Sequence, residues 1–167
     1  MPLKTIDIHG ANAHATYSKS RTACRGVVIQ DSRILISHEL NTDVYMIPGG
    51  GVEEGESATE CVIRELREES GYIIEPRRHF LTMNEYYEDC KYVSHYFICD
   101  IVGEAEQSLT DGEIARGLCP EWMELDEILG IFSRHSDYAS SDEEKRGIYF
   151  REYTALTEYA EQNRRFL

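Results

Sequence analysis

The sequence predicts an α/β fold of the α+β kind, a curved mixed β-sheet with one helix after a central glycine loop and another at the C-terminal end. Three observations carry this. Short apolar runs bounded by turn residues recur between Arg25 and Leu125. A capped amphipathic segment begins at Ser57. Apolar residues at helical spacing, Ile148, Tyr149, Tyr153, Leu156 and Tyr159, mark a last helix over about 146–165. With 167 residues, a 41% hydrophobic share and no visible repeat or linker, the chain is expected to form a single domain over 1–167.

The elements follow in order. Gly26 to Ile29 and Arg33 to Ser37 read as a hairpin turning at Asp31-Ser32. Val44 to Ile47 is a buried strand that runs into a loop at Pro48-Gly49-Gly50-Gly51. Ser57 then caps a helix, with Glu60 completing a capping box and Gly71 stopping it after Ser70. Tyr72 to Ile74, His79 to Tyr86 and Tyr92 to Ile101 are strand candidates, the last two joined around Glu88-Asp89. Val102 to Pro120 reads as an acidic surface loop with room for one short helix. Glu121 to Leu125 alternates like a strand, and Asp126 is placed to cap a helix from Glu127 to Phe132.

Charge narrows the function. The chain has 31 acidic and 17 basic side chains, a formal balance of −14. That argues against general nucleic-acid binding and against anionic membranes, both of which need clustered Lys and Arg. No apolar run approaches the roughly 20 residues that cross a bilayer, and the N-terminus lacks the pattern of a signal peptide. Five cysteines (24, 61, 90, 99, 119), an odd number with no C-x-x-C pair, suit a reduced, cytoplasmic protein.

The informative stretch is Gly50 to Tyr72, where seven glutamates face two arginines. At about 100° per residue from Ala58, Cys61 falls near −60°, Val62 near +40° and Leu66 near +80°, which defines the buried stripe. Glu65 lands at about −20°, Glu69 at about +20° and Glu68 at about −80°, so carboxylates continue that stripe toward the helix C-terminus. Like charges at this spacing repel, and burial of unpaired charge costs several kcal/mol. One reading is a solvated acidic turn. The other is a set of hard oxygen ligands for Mg²⁺ or Mn²⁺.

The register of fixed residues separates these readings. Gly50, Glu56, Arg64, Glu65, Leu66, Glu68, Glu69, Gly71 and Tyr72 follow the pattern G-x5-E-x7-R-E-U-x-E-E-x-G-U, where U is bulky and apolar. Seven fixed matches arise by chance on the order of 10⁻⁸ per window. The segment resembles the box of the Nudix (MutT-like) hydrolase family, with Tyr72 in a place that is usually aliphatic. The resemblance implies an α/β/α sandwich and metal-dependent hydrolysis of a pyrophosphate bond in a nucleoside diphosphate linked to another group. It implies Mg²⁺, or Mn²⁺, on Glu65, Glu68 and Glu69, with a carbonyl of Gly49 or Gly50 as a further ligand. Arg64 would pair with Glu56 and hold the loop to the helix. Glu65 and Glu113 are both candidates for the general base, Glu113 also for an outer ligand. Tyr86 and Tyr87, about 15 residues beyond the helix, are candidates for stacking on a base. Trp122 and the six histidines read as structural or surface residues.

The partner so implied is a small nucleotide. The family likeness also allows a homodimer. No proline stands where ADP-ribose hydrolases carry one, about 15 residues past the box, which leans toward nucleoside triphosphates or dinucleoside polyphosphates. Hydrolysis of ADP-ribose or nucleotide sugars is the alternative substrate class. A non-catalytic ligand-binding or regulatory module is the alternative function.

Overall fold

A computed structural model describes residues 2–164. Strand β1 (Lys4–His9) is followed by β2 (Lys19–Val27), β3 (Ile29–Gln30), β4 (Arg33–Glu39), β5 (Val44–Met46) and β6 (Gly49–Gly51). Helix α1 (Ala58–Ser70), the long strands β7 (Tyr72–Tyr87) and β8 (Cys90–Glu104), α2 (Asp111–Arg116) and β9 (Leu118–Glu124) come next. Helix α3 (Leu125–Ser133), a 3-10 turn (His135–Tyr138) and α4 (Glu143–Arg164) complete the order. Two sheets result, where the sequence suggested one. A five-stranded mixed sheet runs β1-β7-β8-β2-β6, and β4 is the centre of an antiparallel sheet with β3, β5 and β9.

Alternation along β4 makes two cores. Ile34 and Ile36 point into a cluster with Ile47, Tyr96, Phe132, Tyr149 and Leu156, closed by α3 and α4. Leu35 points the other way, to Cys24, Val62, Leu66 and Phe97, closed by α1. Ser37, two residues beyond Leu35, faces α1 as well. The helices therefore lie on opposite sides of the strands, the sandwich that the resemblance implied.

Local chemistry sets most boundaries. The hairpin between β3 and β4 turns at Asp31 (φ 50°) and Ser32 (φ 68°), both left-handed as a two-residue turn needs. Ser57 Oγ accepts from Glu60 N at 3.1 Å, and Glu60 Oε2 accepts from Ser57 N at 2.8 Å, so the capping box is formed. Gly71 ends α1 at φ 74° and donates its N–H to Arg67 O.

Other boundaries differ from expectation. Gly49–Gly51 is not a loop but a strand: Gly50 pairs with Cys24 and Gly49 with Arg25. A Cβ on Gly49 would stand 2.0 Å from the Cys24 carbonyl oxygen, so an approach this close is open to glycine alone. Strand β1 and the first half of β2 lacked a signal because their exposed, edge-side residues are polar. The two strands expected between Tyr72 and Tyr86 are one, with register shifts near Ile73, Pro76 and His79 that absorb the proline. Strands β8 and β9 take up both ends of the expected loop Val102–Pro120. Helix α3 begins at Leu125, so Asp126 lies in its first turn rather than at the cap. Its cap residue, Glu124, accepts instead from Ser32 Oγ. Helix α4 starts at Glu143, earlier than expected, because Asp142 Oδ1 accepts from Lys145 N. Its expected end at 165 falls outside the described residues. Among the described residues no helix is long and apolar enough to cross a membrane.

Gly71→Ala should lower stability by about 1–3 kcal/mol in urea or thermal unfolding, since a left-handed alanine is strained and its Cβ would lie 2.9 Å from Ala105 O. An unchanged midpoint would contradict the left-handed cap.

Candidate active site

Strand β6 and helix α1 bring the acidic residues together. Gly50 lies directly under Glu65: a Cβ there would stand 2.5 Å from the Glu65 carboxyl carbon and 2.6 Å from both of its oxygens. The glycine therefore makes room for a carboxylate, a reason that spacing alone does not show.

Arg64 fixes the arrangement. Its Nε donates to Glu56 Oε2 at 2.6 Å and its Nη2 to Glu56 Oε1 at 3.0 Å, a two-pronged ion pair. The second Nη2 hydrogen goes to Gly51 O at 3.0 Å. Nη1 donates to Glu65 Oε1 at 2.9 Å and Glu68 Oε2 at 3.1 Å. All five N–H groups of the guanidinium are thus engaged. The Arg64 guanidinium holds the Glu56 carboxyl at about 2, far below its usual range. The pairing with Glu56 pushes the Arg64 pKa higher still.

Glu65 and Glu69 are buried, and Glu68 is half-buried and turned to Arg64. Burial raises the pKa of Glu65 against the pull of Arg64. Glu69 is pushed up to about 8, chiefly by burial and then by repulsion from Glu65, with hydrogen bonds from Ser37 and Gly49 N–H opposing. Glu113 completes the group: carboxylate oxygens of Glu65, Glu69 and Glu113 all lie within 4.8 Å of one another. Two charges 4 Å apart repel by about 4 kcal/mol at the effective dielectric of a protein surface. Three at this range need a proton or a cation among them.

Helix α2 delivers Glu113, although none of its residues is buried. Thr110 Oγ1 and the Glu113 carboxylate form a capping box, with Thr110 N donating to Glu113 Oε2 at 2.9 Å. On one side Ser108 N donates to Glu68 O and Gln107 Nε2 to Glu69 O, both on the last turn of α1. On the other, Asn41 Nδ2 donates to Ala115 O, and Arg116 pairs with Glu39 at 2.6 Å. The short helix is clamped between α1 and the β4–β5 turn.

A buried brace steadies the glycine strand from behind. Arg25 Nη1 donates to Ile47 O at 3.2 Å, and Glu152 of α4 accepts from Ile47 N at 3.4 Å, just before Pro48. Arg151 and Tyr96 Oη also donate to Glu152.

The remaining candidates stand elsewhere. Gly50 shares its level with Cys24, His95 and Thr82 across the sheet. Tyr86 lies four residues past Thr82, about 13 Å further along β7 and three strands over. There its ring stacks on His9 at 4.5 Å, while Tyr87 faces Tyr92. The structure does not bring either tyrosine to the carboxylates. Trp122 packs beside α1's core and donates to Tyr72 Oη. Two residues at the site went unnoticed in the sequence. One is Gln107; the other is Ser37, a hydroxyl at the end of the apolar run Ile34-Leu35-Ile36, whose only advance signal was that position.

Comparisons with known proteins bear on the family and the fold. The model of the NUDIX domain matches residues 20–144, well over half of the chain. A putative ADP-ribose pyrophosphatase of Bacillus subtilis is 31% identical over 103 residues, covering 61% of this chain and 48% of its own. An ADP-ribose pyrophosphatase of Methanocaldococcus jannaschii is 29% identical over 105 residues, covering 60% of this chain and 62% of its own. The chain thus spans about half the length of the first of these relatives and somewhat more of the second. Among solved structures, a NUDIX hydrolase from Nitrosomonas europaea has the same fold, with a TM-score of 0.59 at 21% identity over 82% of this chain and 90% of that one.

Two outcomes follow from the site. Arg64→Lys keeps the charge but loses the fork, and should destabilise the fold by about 1–3 kcal/mol in urea unfolding. The second concerns pH. Folding raises Glu69 from its ordinary 4.5 to about 8, so the folded state holds the extra proton between those values. Its contribution to stability is full below pH 4.5 and is lost as pH rises through 8. In EDTA, the melting temperature of Glu69→Gln relative to the parent should therefore rise between pH 5 and pH 9; a flat difference would refute the burial.

Proposed function

This chain belongs to the NUDIX family, and from that premise we propose that it hydrolyses the pyrophosphate bond of a nucleoside diphosphate linked to a second group, with Mg²⁺ or Mn²⁺ as cofactor. The observation that carries the proposal is the close approach of Glu65, Glu69 and Glu113. The donor set fits the ion: three hard carboxylate oxygens, crowded at a range they do not tolerate uncompensated, beside a glycine whose missing side chain makes room for the Glu65 carboxylate.

Glu65 and Glu69 would hold the ion, with Glu113 as an outer ligand and Glu68 a further donor once released from Arg64. When bound, the cation supplies charge neutralisation for the phosphates and a lowered pKa for water. The chain supplies the rest. Arg64 keeps Glu56 and the Gly51 carbonyl in place and holds Glu65 to one orientation. Glu113 sits on a helix free of the core, where one oxygen is held by Thr110 N–H and the other is available to take a proton from an attacking water. Glu65, buried and paired with Arg64, is the other candidate for that role.

A non-catalytic module would keep the fold without needing this set intact, so Glu56, Arg64, Glu65, Glu68 and Glu69 together favour the enzyme. The relatives' names bring ADP-ribose forward as a substrate. The missing proline favours nucleoside triphosphates or dinucleoside polyphosphates. We place the protein in the cytoplasm, where its five free cysteines stay reduced.

Purified protein with Mg²⁺ or Mn²⁺, assayed on ADP-ribose, nucleoside triphosphates, dinucleoside polyphosphates and nucleotide sugars, should release a phosphate-bearing product from at least one class. Silence on all of them would favour the module. With the substrate in hand, Glu69→Gln should lower kcat by about 100-fold or more. Mg²⁺ at ten times its Kd should stabilise the fold by about 1.4 kcal/mol, a rise of roughly 3–6 °C in Tm.

A further inference from the structure

Three elements meet at one oxygen of Glu69. Ser37 Oγ on β4 donates to Glu69 Oε2 at 3.0 Å, and the backbone N–H of Gly49 on β6 donates to the same oxygen at 3.2 Å. Ser37 is 2% exposed and Glu69 is 6% exposed, so water does not compete for these bonds. A carboxylate oxygen has about two lone-pair sites, and both on Oε2 are taken. Among the described residues no donor reaches Oε1. The carboxylate is thus held by Oε2 and left without a donor at Oε1, and one of its oxygens lies within 4.8 Å of those of Glu65 and Glu113.

We propose that Ser37 is a positioning residue for the cation site: its hydroxyl, with the Gly49 N–H, fixes the Glu69 carboxylate so that Oε1 is presented to a divalent ion. The inference rests on the metal-dependent reading above. Its logic is that of any ligand orientation, since a carboxylate free to rotate must lose that freedom when the ion binds. Partners in this position commonly account for 10- to 100-fold in metal affinity. Ser37 belongs to a different sheet from β6, so the site depends on how the two sheets pack.

The test is Mn²⁺ affinity, read by the EPR signal of free Mn²⁺ without substrate. Ser37→Ala is expected to weaken binding by about 10-fold or more, and Ser37→Thr, which keeps the hydroxyl, to stay within about threefold of the parent. Ser37→Cys keeps the volume but donates weakly, and should resemble the alanine variant; it serves if the alanine variant does not fold. A hydroxyl that only stabilised the fold would lower Tm and leave the Mn²⁺ affinity alone. Binding by Ser37→Ala within about twofold of the parent, while Glu69→Gln binds poorly, would overturn the role of Ser37 only. A parent that does not bind Mn²⁺, or a Glu69→Gln variant that binds as well as the parent, would overturn the metal reading and this inference together.

Discussion

One guanidinium organises the site. Arg64 stands on α1, yet its five hydrogen bonds reach the loop before the helix (Glu56), the glycine strand (Gly51) and two carboxylates of its own helix. Removing such a group would leave the Glu56 carboxylate, with its 12% exposed side chain, without its partner. The charge on Arg64 also offsets part of the cost of burying Glu65, whose pKa burial still raises. Loop, strand and helix are held in one register by a single side chain, and the remaining carboxylates are arranged against that frame.

The acidic residues then divide by what balances them. Glu56 and Glu68 are answered by Arg64. Among the described residues Glu69 is answered by neutral donors, Ser37 and Gly49 N–H, and Glu113 by a backbone N–H. Hydrogen bonds of that kind orient a carboxylate without cancelling its charge. Acidic groups therefore crowd where Glu65, Glu69 and Glu113 converge, a place where a cation can take over from the proton that Glu69 otherwise keeps up to about pH 8. The overall balance of −14 has its functional share there.

Rigidity comes from both sides of the sheets. Glu152 and Arg25 hold the backbone of Ile47 from the α4 side, and α1 packs Val62 and Leu66 from the other. Helix α2 contributes no buried residue, and its place depends on hydrogen bonds from Gln107, Ser108 and Asn41.

The sequence by itself determined the local features: the Ser57–Glu60 capping box, the Gly71 stop, and the placement of Glu65 and Glu69 on the buried side of α1; the pairing of Arg64 with Glu56 was implied by the family resemblance. Each depends on residues within about a dozen positions of one another, where helix geometry and turn chemistry act directly. Tertiary structure decided what comes from far along the chain. It turned Gly49–Gly51 from a loop into a strand, because only β2 offers the partner for it. It split the strands into two sheets and carried Tyr86 and Tyr87 away from the carboxylates along β7. It set Glu113 beside Glu65 and Glu69, and aimed Ser37 at Glu69. Such contacts join residues 32 or more positions apart, and no spacing rule encodes them; they follow from which faces of the two sheets and the helix are buried together.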